Sequence, residues 1–310
     1  MILVAGSSNL DFVVRAEQIP GPGETVLGQG FRTFPGGKGA NQAVACARAG
    51  GATTHFLTAL GGDDSAASIE ASLRDAGVVS HVVRCPSEPT GCAFICVSEQ
   101  GENAITVAPG ANSLLHPDDL PALAGFSHLL LQLEVPIATV TAYAQAARQQ
   151  GVTVVLNAAP AQVLPQELLD NVDILVVNEG ELGVVSRRLG TVAESLQHVK
   201  VPTVVVTLGA RGWCARTPTE IIVQPAFAVK AIDTSAAGDT FCGVLVAALG
   251  RGSSMDAALR VACAAGAMAC ENLGAQASIP HASDVDTFLT HPSDKSEISN
   301  HMLRSYCGIQ

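Results

Sequence analysis

The middle of the chain alternates between short apolar runs and segments with helical periodicity. The apolar runs are rich in β-branched residues and read VTVVLN at 152–157, VDILVVN at 172–178 and PTVVVTLG at 202–209. Helical patterns lie between them, in IATVTAYAQAARQQG at 137–151 and TVAESLQHV at 191–199. Continuous apolar strands that alternate with helices predict an α/β fold, with a mainly parallel sheet covered on both faces.

Two segments interrupt this rhythm with shorter alternating patterns. Residues 11–37 contain the turn Pro20-Gly21-Pro22-Gly23, and residues 90–110 contain Gln100-Gly101. Both patterns are typical of β-hairpins. We expect them to form a small β-structure at the edge of the α/β domain, where it acts as a lid.

The two ends of the chain bound the predicted domain. The first residues, MILVAGSSNLDFVV, lack the pattern of a signal peptide and predict a strand that runs into a loop. No apolar run approaches the roughly 18 residues of a membrane span. We therefore expect one domain over 1–292 in a cytoplasmic protein, followed by a polar, aperiodic tail at 293–310 that is loosely held.

Composition and charge exclude several classes of function. The chain is 48% hydrophobic and 15% charged, and its formal net charge is −11, which argues against binding to nucleic acid. Nine cysteines occur without a Cys-x-x-Cys pair, and eight histidines are scattered. This usage favours reduced, buried thiols over a disulfide framework or a zinc site.

Polar residues or glycines follow three of the predicted strands, at Asn157, at Asn178, and at Thr207 and Gly209. In open α/β sheets ligands bind outside the carboxyl ends of the strands. A polar residue at one strand end is unremarkable, but three in succession favour a binding edge.

The segment FPGGKGANQAVACARAG at 34–50 places glycines, Lys38 and Asn41 at the start of a predicted helix. It departs from a P-loop because Gly39 stands where that motif needs serine or threonine. Glycines permit close approach of a ligand, and a helix N-terminus offers unpaired N–H groups. The alternative is an ordinary glycine turn before a helix.

The segment DTSAAGDTF at 233–241 precedes a second apolar helix. Small residues at a helix start leave N–H groups free to converge on an anion, which the helix dipole also favours. Asp239 lies in the first turn of that helix. Its carboxylate either caps the helix or directs a hydroxyl towards a bound phosphate.

Together with NEGE at 178–181, these two segments resemble the signatures of the phosphofructokinase-B type (ribokinase-like) carbohydrate kinase family. The resemblance covers roughly residues 1–290 and implies a three-layer α/β/α domain with a small β-sheet lid. It implies ATP-dependent phosphorylation of a sugar, with the 5-hydroxyl of D-ribose as the expected acceptor. The alternatives are a sibling kinase for deoxyribose, another sugar or a nucleoside, and a non-catalytic sugar sensor. The sensor is less favoured because it needs no base at Asp239.

The resemblance also implies roles for individual residues. Asp239 matches the general base, and the anion hole matches Ala236, Ala237 and Gly238. The residues that match the sugar site, besides Asp239, are Asn9, Asp11, Gly37, Lys38, Asn41 and Glu134. The residues that match the nucleotide site, besides Gly238, are Asn178, Thr207, Gly209 and Gly212. Cys263 stands where such kinases often have a histidine beside the adenine.

Metal ions and a partner chain complete these expectations. Glu181 matches a residue that binds Mg²⁺ through water. The residues that match a K⁺ site, mostly through backbone carbonyls, are Asp233, Ser235, Ala269, Asn272, Gly274 and Ser278. Apolar lid segments tend to pair between subunits, so we expect a homodimer through the lid.

Overall fold

The structure is a computed structural model that describes residues 1–100, 102–290 and 298–309. Gly101 of the predicted turn and the first part of the predicted tail, up to residue 297, lie outside these residues. Among the helices that the structure describes, none is long and apolar enough to cross a membrane.

Within the described residues, thirteen strands form two sheets. They are β1 (Ile2–Ala5), β2 (Asn9–Ala16), β3 (Gly28–Gly36), β4 (Thr54–Leu60), β5 (Val79–Arg84), β6 (Gly91–Val97), β7 (Asn103–Ala108), β8 (His128–Leu131), β9 (Thr153–Asn157), β10 (Ile174–Asn178), β11 (Thr203–Thr207), β12 (Trp213–Arg216) and β13 (Ile221–Gln224). The larger sheet has nine strands in the order β13-β12-β11-β10-β9-β8-β1-β4-β5. Its strands from β11 to β5 pair in parallel, whereas β12 and β13 add an antiparallel hairpin at one edge.

Helices cover both faces of this sheet. They are α1 (Lys38–Arg48), α2 (Asp64–Asp75), α3 (Ile137–Gln149), α4 (Gln166–Leu169), α5 (Glu179–Ser186), α6 (Val192–His198), α7 (Ala237–Gly250), α8 (Met255–Ala269), α9 (Ala282–Thr290) and α10 (Asn300–Cys307). The first core packs α1, α2, α7, α8 and α9 on one face, and the second packs α3 to α6 and α10 on the other. In β1, Ile2 and Val4 point into the first core and Leu3 and Ala5 into the second, so the strand is apolar throughout.

A second sheet of four strands, in the order β3-β2-β6-β7, comes from the two segments predicted as hairpins. Each hairpin is antiparallel, and the two meet through the parallel pair of β2 and β6. On one face Phe12 stacks between two other rings, with centroids 6.1 Å from Phe31 and 5.4 Å from Phe94. The architecture is the predicted α/β/α domain with an attached small sheet.

The described end of the predicted tail differs from the expectation. Residues 300–307 form α10, and its side chains Leu303 and Cys307 are fully buried against the second core. A helix that buries only two apolar residues leaves a weak sequence pattern, because the rest of its surface is polar. The segment is therefore packed rather than loosely held.

Candidate active site

The N-termini of α1 and α7 meet beyond the carboxyl ends of the parallel strands. Gly37 precedes α1 with a φ of 88°, and a Cβ at that residue would lie 2.7 Å from the amide nitrogen of Asn9. A Cβ on Gly39 would lie 2.6 Å from the amide nitrogen of Ser7. The space that these glycines leave is thus filled by the loop after β1. The structure assigns Gly37 a packing role that the sequence did not indicate.

Asp239 lies buried in the first turn of α7 and faces two amides from α1. Its Oδ2 accepts a hydrogen bond from Asn41 Nδ2 at 3.0 Å, and its Oδ1 accepts one from Gln42 Nε2 at 2.9 Å. Donors on both oxygens fix the orientation of this carboxyl group. The contact joins residues that are almost 200 positions apart in the chain.

Gln42 also belongs to a buried network of amides that sequence reasoning missed. Gln42 Oε1 accepts from Gln132 Nε2 at 2.7 Å, and Gln42 Nε2 donates to Asn157 Oδ1 at 3.0 Å. Gln42 and Gln132 are fully buried, so each of these bonds replaces one that water would otherwise make. The position of Asn157 at a strand end was the available signal, whereas Gln132 has none in the local sequence.

Three acidic side chains act on one ammonium group, that of Lys38. The carboxylate of Asp239 is the main cause of a raised pKa at Lys38, and Glu134 and Glu181 raise that pKa further. Burial lowers it, but by less. Glu134 Oε2 accepts hydrogen bonds from the Lys38 backbone N–H at 3.1 Å and from Ser7 Oγ at 2.5 Å. Lys38 therefore carries its charge among these carboxylates.

Asp11 brings a further carboxyl group to the same place, from β2 of the small sheet. Burial, and then the charges of Glu134 and Asp239, raise the pKa of Asp11 to about 7. A Cβ on Gly36 would lie 2.1 Å from Asp11 Oδ2, so the carboxyl group packs directly over that glycine. The site thus contains one carboxyl that changes protonation near neutral pH.

Asn9 is held by Asn112, a residue that sequence reasoning also missed. Asn112 Nδ2 donates to Asn9 Oδ1 at 2.9 Å and to the Ser8 carbonyl at 3.0 Å. The Ser8 N–H donates to Asn112 Oδ1 at 2.9 Å. Asn112 lies in the turn after β7, where nothing in the sequence distinguishes it from an ordinary turn residue.

On the predicted nucleotide side, Asn178 and Glu181 form a capping box at the start of α5. Asn178 Oδ1 accepts from the Glu181 N–H at 2.8 Å, and Glu181 Oε2 accepts from the Asn178 N–H at 2.8 Å. Burial raises the pKa of Glu181, the Asn178 N–H and Lys38 lower it, and Asp239 raises it. One oxygen of each side chain is therefore committed to the helix terminus.

The turn between β11 and β12 contains the other predicted nucleotide residues. Gly209 and Gly212 have φ values of 58° and 114°, and a Cβ on Gly212 would lie 2.1 Å from the Gln224 carbonyl oxygen. Thr207 Oγ1 donates to the Val177 carbonyl at 3.4 Å. Cys263, by contrast, is buried in α8, and burial raises the pKa of its thiol to about 11.

The start of α7 is open on the side of Gly238, where a Cβ would meet no atom within 4 Å. The first helical bond runs from the Thr240 N–H to the Ala236 carbonyl at 2.8 Å. The Ala237 N–H donates to the Thr234 carbonyl at a longer 3.3 Å. The structure thus brings Ala236, Ala237 and Gly238 together at a helix terminus next to Asp239.

Asp233 joins the loop before α7 to the loop after α8. Its Oδ1 accepts from the Ser235 N–H at 2.9 Å and from Ser235 Oγ at 2.5 Å, and its Oδ2 accepts from the Gly274 N–H at 3.0 Å. Although burial raises the pKa of Asp233, these donors and Arg15 outweigh it and lower that pKa. Ser278 Oγ donates to the Ala275 carbonyl at 3.0 Å.

Asp233, Ser235 and Gly274 therefore come together, and the remaining predicted K⁺ residues lie in the chain around that loop. Ala269 is buried at the end of α8, and Asn272 is exposed. Both Asp233 oxygens already accept protein donors.

A cleft of about 750 Å³ separates the small sheet from these loops. Its walls include Asp11, Phe34 and Ile95 from the sheet, and Asp233, Ser235 and Gly274 from the domain. Asp11 thus connects the cleft to the carboxylates around Lys38. The arrangement offers hydrogen-bonding groups for a polyol on one side of Asp239 and a helix N-terminus for an anion on the other.

Comparison with known proteins agrees with this geometry. Residues 1–282 match the pfkB family carbohydrate kinases. The ribokinase of Haemophilus influenzae is 40% identical over 302 residues, covering 94% of this chain and 98% of that protein. The crystal structure of ribokinase from Thermotoga maritima has a TM-score of 0.85 at 36% identity and covers 94% of this chain and 99% of that one.

The structure of Arabidopsis thaliana ribokinase complexed with ribose and ATP has a TM-score of 0.83 at 33% identity. It covers 93% of this chain and 98% of that one. The family match spans both glycine-containing segments and the strand-end residues, and the relatives match over nearly their whole length. The chain belongs to the pfkB family of carbohydrate kinases.

Proposed function

We propose that this carbohydrate kinase transfers the γ-phosphoryl group of ATP to the 5-hydroxyl of D-ribose. One observation carries the proposal. The Asp239 carboxylate lies at the positive end of α7, held on both oxygens by amides from α1. Of the side chains predicted for the sugar, Asn41 contacts this carboxylate, and Lys38 and Asp11 are close enough to feel its charge. The names of the relatives, among them a structure with ribose and ATP, support ribose as the acceptor.

In this mechanism Asp239 takes the proton of the attacking hydroxyl, and that oxygen forms a bond to the γ-phosphorus as ADP leaves. The anion hole at Ala236, Ala237 and Gly238 stabilises the charge of the transferring group together with the α7 dipole, with the Ala237 N–H shared with the Thr234 carbonyl. Because phosphoryl transfer proceeds through a loose transition state, positioning and electrostatics supply most of the catalysis. Asn41 and Gln42 provide that positioning for the base.

The sugar site on this account comprises Asn9, Asp11, Lys38, Asn41 and Glu134, with Gly37 shaping the loop beneath them. Asn41 Oδ1 is buried, and no hydrogen-bond partner for it occurs within the described part of the chain. A buried acceptor without a donor costs free energy, which a substrate hydroxyl would recover. Asn41 therefore has one amide group for Asp239 and one oxygen for the sugar.

The nucleotide site in this proposal comprises Asn178, Thr207, Gly209 and Gly212, with Cys263 in the position where such kinases often have a histidine beside the adenine. Glu181 would hold Mg²⁺ through water, since Mg²⁺ retains much of its hydration shell. The ion would neutralise charge on the phosphates. The position of Glu181 in a capping box, with its pKa raised by burial, fits indirect better than direct ligation.

The proposal also includes a monovalent cation, K⁺, which binds at the loops that Asp233 joins. Backbone carbonyls between Ala269 and Ser278 would supply oxygen ligands of the kind that K⁺ takes. Asp233 holds these loops together by accepting protein N–H and O–H groups on both oxygens, and its carboxylate is one of the proposed K⁺ ligands. Activity should fall when Na⁺ replaces K⁺.

A homodimer through the small sheet completes the proposal. Phe31 and Phe94 stack on Phe12 yet are 64% and 55% exposed, which is unusual for large aromatic side chains on a sheet face. Exposed apolar patches of this kind mark interaction sites. Two copies related by a twofold axis would each cover the exposed aromatic face of the other.

The test is ADP release with Mg·ATP and K⁺ across D-ribose, deoxyribose, fructose, other pentoses and several nucleosides. We expect the highest kcat/KM with D-ribose. Turnover of another acceptor with none on ribose would replace the substrate and keep the chemistry. Binding of sugar without turnover of any acceptor would favour the sensor.

A further inference from the structure

The C-terminal helix α10 lies at the edge of the large sheet, outside the residues that match the family. Its Leu303 and Cys307 are fully buried, Cys307 lies against Cys214 of β12, and the helix also packs against β13. The family match ends at residue 282. No part of the proposed mechanism so far uses this helix, although it is held firmly in place.

Three side chains form a closed triad where α10 meets the nucleotide side. The Tyr306 phenol donates to Glu179 Oε1 at 2.5 Å, and Arg211 Nη2 donates to Glu179 Oε2 at 2.5 Å. The Arg211 guanidinium lies over the Tyr306 ring, 4.3 Å from its centroid. Each of the three residues therefore contacts the other two, and the three come from α10, α5 and the β11–β12 turn.

Both partners of Tyr306 belong to segments assigned to the nucleotide. Glu179 directly follows Asn178, and Arg211 lies within the turn bounded by Gly209 and Gly212. The Arg211–Glu179 ion pair is partly exposed, with side-chain accessibilities of 42% and 36%. Such a pair alone holds two loops weakly. Tyr306 adds a hydrogen bond to one partner and an aromatic face to the other, which restricts both.

We propose that Tyr306 is a positioning residue for the nucleotide, which fixes the Asn178 turn relative to the Gly209–Gly212 turn. Order imposed before binding lowers the entropic cost that the ligand must meet. The identity of the nucleotide as ATP rests on the proposed function. Tyr306 itself touches neither substrate nor reacting atoms in this account.

The variants Tyr306→Phe and Tyr306→Ala test the inference in the full chain, with Ser305→Ala at an exposed position of α10 as the matched control. For Tyr306→Phe we expect KM for Mg·ATP to rise about two- to fivefold, as for loss of one partly exposed charged contact. Tyr306→Ala should raise it further, because the aromatic face is lost as well. The sugar KM and kcat should stay close to those of the control.

Comparing the KM for Mg·ATP with the KM for sugar distinguishes a positioning role of Tyr306 from a merely structural one. General loosening of α10 would lower Tm and would affect the sugar KM and kcat together with the ATP KM. An unchanged ATP KM in both Tyr306 variants would overturn the inference, and so would a parallel rise in the sugar KM. Tyr306→Phe keeps the ring and the helix, so its folding is not at risk in the way that Tyr306→Ala is.

A direct measurement of nucleotide binding tests the inference independently of whether the proposed function is correct. Calorimetric titration with Mg·ATP in the absence of sugar measures nucleotide binding without depending on turnover. A protein that binds ATP and phosphorylates no sugar would end the proposed function, while the Kd ratio of Tyr306→Phe to wild type would still decide the inference. Absence of ATP binding by the wild type would overturn the inference as well.

A double-mutant cycle with Glu179→Gln adds a final check. The contact with Tyr306 works through the Glu179 carboxylate, so the two substitutions should be non-additive in Kd for ATP. In the Glu179→Gln background, Tyr306→Phe should raise the Kd for ATP clearly less than it does in the wild type. Additive effects would show that Tyr306 does not act through Glu179.

Discussion

At the scale of single residues, closely spaced groups in the candidate active site differ in how readily they hold a proton. Lys38 stays charged because the Asp239, Glu134 and Glu181 carboxylates raise its pKa against the effect of burial. For Asp11 a raised pKa has the opposite effect on charge, because it favours the neutral form. Burial and two neighbouring carboxylates raise the pKa of Asp11 to about 7. Below that pH the protonated Asp11 donates a hydrogen bond, and above it the ionised form accepts one.

We predict that Asp11→Asn stabilises the folded chain at pH 8 but not near pH 4. The pKa of Asp11 rises from 3.8 to about 7 on folding, so the cost of ionising it is absent below the lower value and complete above the higher. The gain has an upper bound of about 4 kcal/mol, because each pKa unit corresponds to about 1.4 kcal/mol. Urea unfolding of both proteins across this pH range measures it.

Equal stability differences at the two pH values would contradict this account of Asp11. The variant should also bind sugar less well at pH 8, where it lacks the carboxylate acceptor. Glu134→Gln serves as the matched control, because removing its charge should lower the Asp11 pKa and shift the transition in stability to lower pH.

Long-range contacts explain which site residues the sequence did not reveal. Lys38, Asn41 and Asp239 stand at helix starts within distinctive local patterns, and they could be predicted. Gln132 and Asn112 bond to partners 90 and 103 positions away, at Gln42 and Asn9. No local periodicity encodes such a pair, because the fold alone brings its members together.

At the scale of elements, the crossing of α1 and α7 places the base against its two amide donors. A Cβ on Gly243 of α7 would lie 2.5 Å from the Gln42 carbonyl oxygen and 2.6 Å from Ala45 Cβ. Cys46 Sγ donates to the Gly243 carbonyl at 3.1 Å. The helices therefore approach closely only because this position has no side chain, and the approach brings Gln42 to Asp239.

We predict that Gly243→Ala lowers the free energy of unfolding by about 1–3 kcal/mol, as overpacking of a tight interior does. Activity should fall as well, since the helices that carry Gln42 and Asp239 must move apart. Gly62→Ala is the control, because a Cβ there meets no atom within 4 Å. A Gly243→Ala protein as stable and active as the control would show that this crossing does not position the base.

The pattern of the elements was largely predictable, with one informative exception. Buried parallel strands such as β10 are apolar at nearly every position and are recognisable on that basis. Helix α10 was not predicted because it buries only Leu303 and Cys307. Its contacts with Glu179 and Arg211 also depend on side chains from two distant segments.

At the scale of the whole molecule, the small sheet has two faces with different chemistry. One face carries Asp11 towards the cleft, and the other carries Phe12 with the exposed Phe94. The exposed Phe31, which stacks on Phe12, is also among the residues that line the cleft. A sheet that closes the cleft on one side and pairs with a second copy on the other would link assembly to substrate binding. The proposed homodimer is therefore part of the account of the site.

We predict that the wild type sediments as a dimer and that Phe94→Asp shifts it towards monomer, because the substitution introduces a charge into the face that carries Phe12. Leu189→Asp, at an exposed position far from this sheet in the sequence, should leave the dimer intact. Analytical ultracentrifugation over a range of concentrations measures both. A monomeric wild type, or a Phe94→Asp protein that dimerises as well as the control, would contradict dimerisation through this face.

The central claim is that Asp239 is the base of an ATP-dependent ribose kinase. It is tested most directly by ribose-dependent ADP release in the wild type and in Asp239→Asn, with ribose binding measured by calorimetry in both. The account predicts that kcat falls by roughly two to four orders of magnitude while ribose binding is nearly unchanged. Turnover by Asp239→Asn within about tenfold of the wild type would contradict it, since loss of a general base costs at least about a hundredfold.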